Sequence, residues 1–549
     1  MQHQLLLKTA ATGLLVTGFG RAKWILLAGA LILAGCTQHP AQPSGTVVVS
    51  MADNAFSPNV VRVPVGGSVV FYNAGRNSHN AVSIDHAWTT ERSFGNIAIP
   101  PQGMTEIVFP KTGVYRFYCT YHATPDGKVG MVGVIVVGDV QYTPPAGERG
   151  VLAVVDQPSG VTRHVPSEYP TIQNAVDAAT PGDLVLLDKG VYVESVYVTT
   201  PSITIRGVDR NAVILDGQFS LGTGIIVGAN AVAIENMTAR NFTLNGFYWT
   251  GVAGFRGSYL TAYNNGDYGI YSFGATQGVL EHSYASGSPD SAFYVGQCNP
   301  CKVVLDDVSG EYSGLGYSGT NSGGDMYILR SRFTHNRSGV ATTTFDIELD
   351  PPGRDSTIIG NLISDSGLER EAAGFYASET LAGNGIGLIG TQHNRVERNY
   401  IARSRNNGIL VLPLLDRHYW PSTDHVVRDN TIVASGRADL AAGGLGTLGN
   451  CFAGNRYKTS LPWGLEILNG CRPARVPVAS DLSGDMMFFG SIAQIFLGQF
   501  KVLDYKDRPT PHAQPNMPGA ADAPVVPAVH PFEDHKLELD AIITPGERS

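Results

Sequence analysis

The chain has 549 residues, 43% hydrophobic and only 15% charged, which is the balance of folded protein and more than one packing unit needs. A net charge of -9 and the lack of any long basic run give no electrostatic footing for nucleic acid, so that class of partner is set aside. With 65 glycines, frequent Val and Thr and few helix-period segments, the fold class is all-β with many tight turns.

In chain order, Arg21 and Lys23 precede the apolar run WILLAGALILAG (24–35), which has signal-peptide rather than membrane-spanning length. It ends in Leu33-Ala34-Gly35-Cys36, which resembles the bacterial lipoprotein lipobox. The resemblance implies that residues 1–36 are a signal peptide and that Cys36 carries lipid. Residues 37–44 then form a flexible tether, and the folded part lies outside the cytoplasm, lipid-anchored to the membrane. An uncleaved signal anchor is the alternative.

Residues 45–140 form the first body. TVVVSMA, VVRVPVGGSVVFYN, TEIVFPKTGVYRFYC and MVGVIVVG alternate or run apolar over strand lengths between Gly, Pro and Asn turns, which fits one β-sandwich. The strand GVYRFY leads into Cys119, with His122 three residues on and Met131 nine beyond that; His79 lies upstream in AGRNSHNAVSID. One thiolate, two imidazoles and a weak thioether are what a blue-copper site needs. This order resembles the cupredoxin (plastocyanin-like) family, and the resemblance implies one type 1 copper held by His79, Cys119, His122 and Met131. The ATPDGKVG interval is longer than the His-to-Met gap of plastocyanin itself, a departure that bears on Met131 alone. His86, in DHAWTTERS, competes for the second imidazole but reads as a surface residue; zinc or an empty site are the alternatives to copper.

After a Pro- and Gly-containing linker (141–163), a short strand with a small residue recurs: GIIVG at Gly224, GFYWTG at Gly246, GIYSFG at Gly269 and AFYVG at Ala292. It continues with GYSGT at Gly316, GVATT at Gly339, GIGLIG at Gly385 and GILVL at Gly408, giving steps of 22, 23, 23, 24, 23, 46 and 23 residues. A coil of that length cannot bury its apolar face alone and must stack. Residues 164–475 therefore resemble the right-handed parallel β-helix family. The first coil is similar to those of pectinesterase-like and periplasmic copper-pathway β-helices, in which a helix, here TIQNAVDAA, covers the open strand edges. The motifs of pectinesterases and polygalacturonases are absent past that coil.

Of six cysteines, Cys36 and Cys119 have been given roles, leaving Cys298 with Cys301 and Cys451 with Cys471 as sequence-local disulfide pairs in an oxidising compartment. A redox-active or metal-binding CNPC is the alternative for the first pair. In FDIELDPPGRD, strand alternation turns Asp346, Glu348 and Asp350 outward on one face, where they are the candidate catalytic carboxylates or a Ca²⁺ site, with Arg330, Arg332 and Arg354 near in sequence. A solvated face paired with those arginines is the simpler reading. Insertions at 370–383 and 413–425 offer Tyr376, Tyr419 and Trp420 for sugar stacking and Arg417 and His418 for an acidic substrate. Residues 476–505 read as a capping segment, and the Pro-rich tail 506–549 as extended or disordered.

The expectation is an extracytoplasmic electron-transfer copper protein whose β-helix binds a glycan or protein partner. A polysaccharide lyase, hydrolase or epimerase with an accessory copper domain, and copper delivery to an oxidase or reductase, are the rivals.

Overall fold

The structure is a computed structural model that describes residues 45–142, 160–471 and 504–546, apart from 53–54, 74–77, 95–96, 102, 124–126, 128–129, 347, 369–381, 445–446 and 527. The signal peptide, Cys36, the tether, Tyr376 and nearly all of the capping segment lie outside the described residues.

The alternating apolar runs of the first body become strands β1 (Thr46–Ala52), β2 (Ala55–Ser57), β3 (Val60–Val63), β4 (Ser68–Asn73), β5 (Val82–Ser83), β6 (Met104–Val108), β7 (Gly113–Ala123) and β8 (Gly130–Val137). They form two four-stranded sheets, ordered β2-β1-β4-β6 and β3-β8-β7-β5. Val49, Val69, Phe71, Phe117 and Ile135 fill the space between them, as period-2 alternation requires.

The second body is a parallel β-helix. Its strands build three long sheets of 12, 10 and 11 strands, each strand pairing in parallel with its counterpart one coil on. Helix α1 (Ile172–Ala178) closes the first coil, with Ile172, Ala175 and Val176 buried and Thr171 capping through Asn174 N at 3.1 Å. The recurrent small residue has a steric cause. A Cβ on Gly246 would lie 2.7 Å from Gly269 O, and one on Gly316 would lie 2.7 Å from Gly339 O. The turn asparagines also stack. Asn361, Asn399 and Asn430 each donate through the side chain to the next asparagine's Oδ1 at 2.9 Å, ending on Asn455. This satisfies turn amides that no strand partner reaches.

Both sequence-local disulfides are present, Cys298–Cys301 and Cys451–Cys471. The tail is not free. Of its described residues, 504–516 lie against turns that flank the 10-stranded sheet, and those from 517 to 546 run along the outer face of the 12-stranded one. Arg206 donates to Ala523 O at 2.6 Å, Met517 N to Asn236 Oδ1 at 2.8 Å, and Arg398 to Leu539 O at 2.8 Å. Ile542 joins Val279, Val304, Leu329 and Ile359 in an apolar cluster on that face. Prolines suit such a strap, because an extended segment held mainly by side-chain bonds from the sheet needs few amide donors of its own.

Under the strap, Glu235 bridges Arg206 (2.7 Å) and Arg256, with all three side chains nearly excluded from water. Removing one member of such a group leaves buried charge uncompensated. Glu235→Ala is expected to cost about 3–5 kcal/mol, read as a lowered denaturation midpoint.

Farther along, His535 Nε2 lies 3.0 Å from Asp306, which also pairs with Arg330. Burial raises the Asp306 pKa, but the bonds from His535 and Arg330 outweigh it and hold the carboxyl below its ordinary value. A depressed carboxylate contributes stability above its unfolded pKa and loses it as pH falls through the folded one. Hydrogen-exchange protection of residues 528–546 is therefore expected to persist from neutral pH to about pH 4 and to fall below it.

Candidate metal centre

Strand β7 pairs with β8 in regular register from Gly113↔Val137 to Tyr118↔Val132, then slips to Ala123↔Gly130. The slip bulges Cys119 to His122 out of the ladder, opposite a single residue of β8, Met131. Gly130 permits this: its φ is +97°, and a Cβ there would lie 2.3 Å from His122 O. His79 arrives from the other side, held by paired backbone bonds to Ile99 at 3.1 and 2.7 Å.

The result is a buried triad. Cys119 Sγ lies 3.5 Å from His122 Nδ1 and 3.9 Å from His79 Nδ1, and the three donor atoms lie within 4.8 Å of one another. Burial pushes the Cys119 thiol up, but the facing His122 and His79 outweigh it and bring its pKa to about 5, so the group is a thiolate at neutral pH. Met131 is 1% exposed and packs in the same apolar cluster as Cys119. Two imidazole nitrogens converging on one thiolate, with a thioether near, is a donor set that fits copper. Among the described residues it is the one group of three such ligands. His86 is exposed and stands apart from the triad, its ring 6.4 Å from Tyr118.

Asn80 had no signal in the sequence beyond being next to His79. Its side chain donates to Glu91 and to Thr120 Oγ1, both at 2.8 Å, and accepts from Thr120 N at 2.8 Å. It thus ties the His79 segment to the Cys119 strand. Loss of such supporting bonds commonly weakens metal binding about 10–100-fold. Asn80→Ala is expected to lose affinity in that range in a chelator competition assay.

The carboxylates of FDIELDPPGRD do not share a strand face. The strand ends at Thr343, and Asp346, Glu348 and Asp350 lie in the turn that follows, so the expected alternation fails. The run to Pro351-Pro352 supplies no further ladder donors. Asp346 accepts from His418 N (2.6 Å), His418 Nδ1 (2.8 Å) and Trp420 Nε1 (3.1 Å), which pins the small hairpin Leu414–Leu415/Tyr419–Trp420. Glu348 bonds Gln297 instead, and Asp350 lines a cleft of about 380 Å³ beside Cys298 and Lys302. The three thus serve three different places, and Arg330 pairs with Asp306 rather than with them. Among the described residues, these carboxylates form no group of three close metal-ligating side chains.

The two bodies meet at the outward face of the 11-stranded sheet. Alternation sends Phe247 and Trp249 into the helix core and Tyr248 outward. Register then aligns Tyr248 with Tyr271 and Tyr271 with Tyr294. Tyr248 and Tyr271 stack at 4.6 Å, and Tyr268 lies 4.2 Å from Tyr271. Ala55 of β2 packs into this aromatic wall. A cavity of about 140 Å³ between the bodies is lined by Met131 and Val132 on one side and Thr250, Gly251 and Phe273 on the other.

Residues 25–130 match the family model described as a cupredoxin-like domain. No curated protein sequence matches the chain. Among solved structures, the A-module of the mannuronan C-5 epimerase AlgE4 from Azotobacter vinelandii is similar at 15% identity and a TM-score of 0.40, over 52% of this chain and 90% of that one. A purple cupredoxin from Nitrosopumilus maritimus is similar at 24% identity and a TM-score of 0.14, over 17% of this chain and 99% of that one. The copper-containing nitrite reductase of Thermus scotoductus is similar at 28% identity and a TM-score of 0.15, over 20% of this chain and 25% of that one.

Proposed function

We propose that this chain is an extracytoplasmic type 1 copper protein that transfers single electrons, tethered to the membrane through Cys36, with the β-helix as the body that presents the copper domain to a partner. The observation that carries the reading is the buried Cys119 sulfur facing two imidazole nitrogens inside a cupredoxin-like domain. Bound there, copper supplies a Cu(II)/Cu(I) couple that holds or releases one electron.

The residues do the rest. Cys119 and the two histidines are fixed by β7, by the Ile99 bridge and by Asn80, so the donors are set before the metal arrives. Such rigidity keeps the ligand geometry similar in both oxidation states, which favours rapid one-electron exchange. Two disulfides outside the metal centre support an oxidising compartment, as an exported protein requires. The dispersal of Asp346, Glu348 and Asp350 weighs against the β-helix as a carboxylate-driven glycan hydrolase.

Purified, copper-loaded protein is expected to show an intense visible band from thiolate-to-copper charge transfer, and Cys119→Ser to abolish it. A colourless site that still binds one metal tightly would overturn the electron-transfer reading in favour of delivery or zinc.

A further inference from the structure

Strand alternation gives the first body an outward sheet face that neither the metal centre nor the β-helix uses. Val47, Val49 and Met51 of β1, Val69 and Phe71 of β4 and Ile107 of β6 point into the sandwich. The residues between them point to the other side of the sheet, and register sets them in three rows: Thr46-Ser68-Val108, Val48-Val70-Glu106 and Ser50-Tyr72-Met104. Glu106 is the single charged side chain in those rows. Met104 is 60% exposed, Val108 57% and Val48 38%, and Val65, in the turn before β4, is 55% exposed. Apolar residues scattered singly over a surface need no explanation, but a contiguous set with so little charge marks a contact surface. β6 is also the edge strand of this sheet, where charge ordinarily discourages association. The opposite edge, β2, is the one that meets the β-helix, through Ala55.

The chain enters the body beside this face. Gly45 O accepts from Ser68 N at 2.9 Å, and Gly66 N donates to Phe109 O at 2.9 Å. The entry point, the Val65 turn and the end of β6 at Val108 are thus one cluster. Residues 37–44 alone separate Gly45 from Cys36, a reach of at most about 32 Å when fully extended. A tether this short holds the face near a membrane at an effective concentration of the order of millimolar, so weak partitioning suffices to dock it.

We propose that the outward face of β1, β4 and β6 is a lipid-docking surface, lying against the bilayer that carries Cys36 with Val48, Val65, Met104 and Val108 at the boundary of headgroups and acyl chains. The proposal rests on Cys36 as the anchor. Lipid is the occupant because the tether itself brings this face to the bilayer, with no partner required. Tyr72, among the same rows, is of the side-chain type that favours such a boundary. With one acid and no base on the face, a zwitterionic lipid surface suits it better than an anionic one.

The test places the photo-cross-linker benzoylphenylalanine at Val108 or, as a control, at Arg116, which is exposed on the other sheet of the sandwich. The full lipid-bearing chain is reconstituted in phosphatidylcholine vesicles and irradiated, and the adducts are identified by mass. Position 108 is expected to give at least tenfold more phospholipid adduct than position 116. Val48→Asp and Met104→Asp together are expected to lower the yield at position 108 at least tenfold. Equal lipid yields at the two positions, or adducts from position 108 to a second copy or another protein in place of lipid, would overturn the proposal. Should the double aspartate variant not fold, the contrast between positions 108 and 116 decides by itself. Mass analysis of the Cys36 peptide judges the anchor separately. If that peptide carries no lipid, the chain from residue 37 is held on nickel-chelating lipid in the same vesicles through an N-terminal hexahistidine, and the same contrast still decides whether the face docks.

Discussion

The in-register stacking of one coil on the next is the constraint from which most of this molecule follows. Once Tyr248, Tyr271 and Tyr294 occupy equivalent places on adjacent parallel strands, their side chains must lie over one another. The same geometry stacks the turn asparagines from Asn361 to Asn455 and sets Arg206 opposite Glu235, which Arg256 reaches diagonally from the next strand. Inward columns make the core. Outward columns make surfaces, and two of these are used: an aromatic one under the cupredoxin-like domain and a charged one under the strap.

The metal centre depends on a different balance. A cysteine as deeply buried as Cys119 ordinarily stays protonated, because desolvation disfavours the thiolate. Two histidines facing the sulfur reverse that preference, and the bulge in β7 is what lets Cys119 and His122 both turn inward. The ladder hydrogen bonds given up between Tyr118 and Ala123 are the cost of assembling ligands from one strand.

Much of this was legible in the residues. The strand GVYRFY, the Cys-to-His interval and the 23-residue steps identify both bodies, because each reflects a period that the backbone imposes. Cys298–Cys301 and Cys451–Cys471 follow from parity and proximity. What failed was alternation carried past a strand's end: Asp346, Glu348 and Asp350 alternate in sequence, but the chain has already turned. What was overlooked was visible in part, since Tyr recurs in GFYWTG, GIYSFG and AFYVG; its outward direction follows from Phe247 and Trp249 pointing in. The role of Asn80 and the docking of the tail were not legible, for both depend on partners distant in sequence and carry no period.

The strap also changes the kind of object the β-helix is. A stack of coils is a one-dimensional array in which each unit senses only its neighbours, so its ends can fray one coil at a time. Residues 504–546 touch coils from Arg206 to Arg398, linking units that otherwise share no contact. An array so cross-tied melts as a block rather than from its ends. It also reaches that condition only when a segment made after the coils has come back to bind some of the first of them.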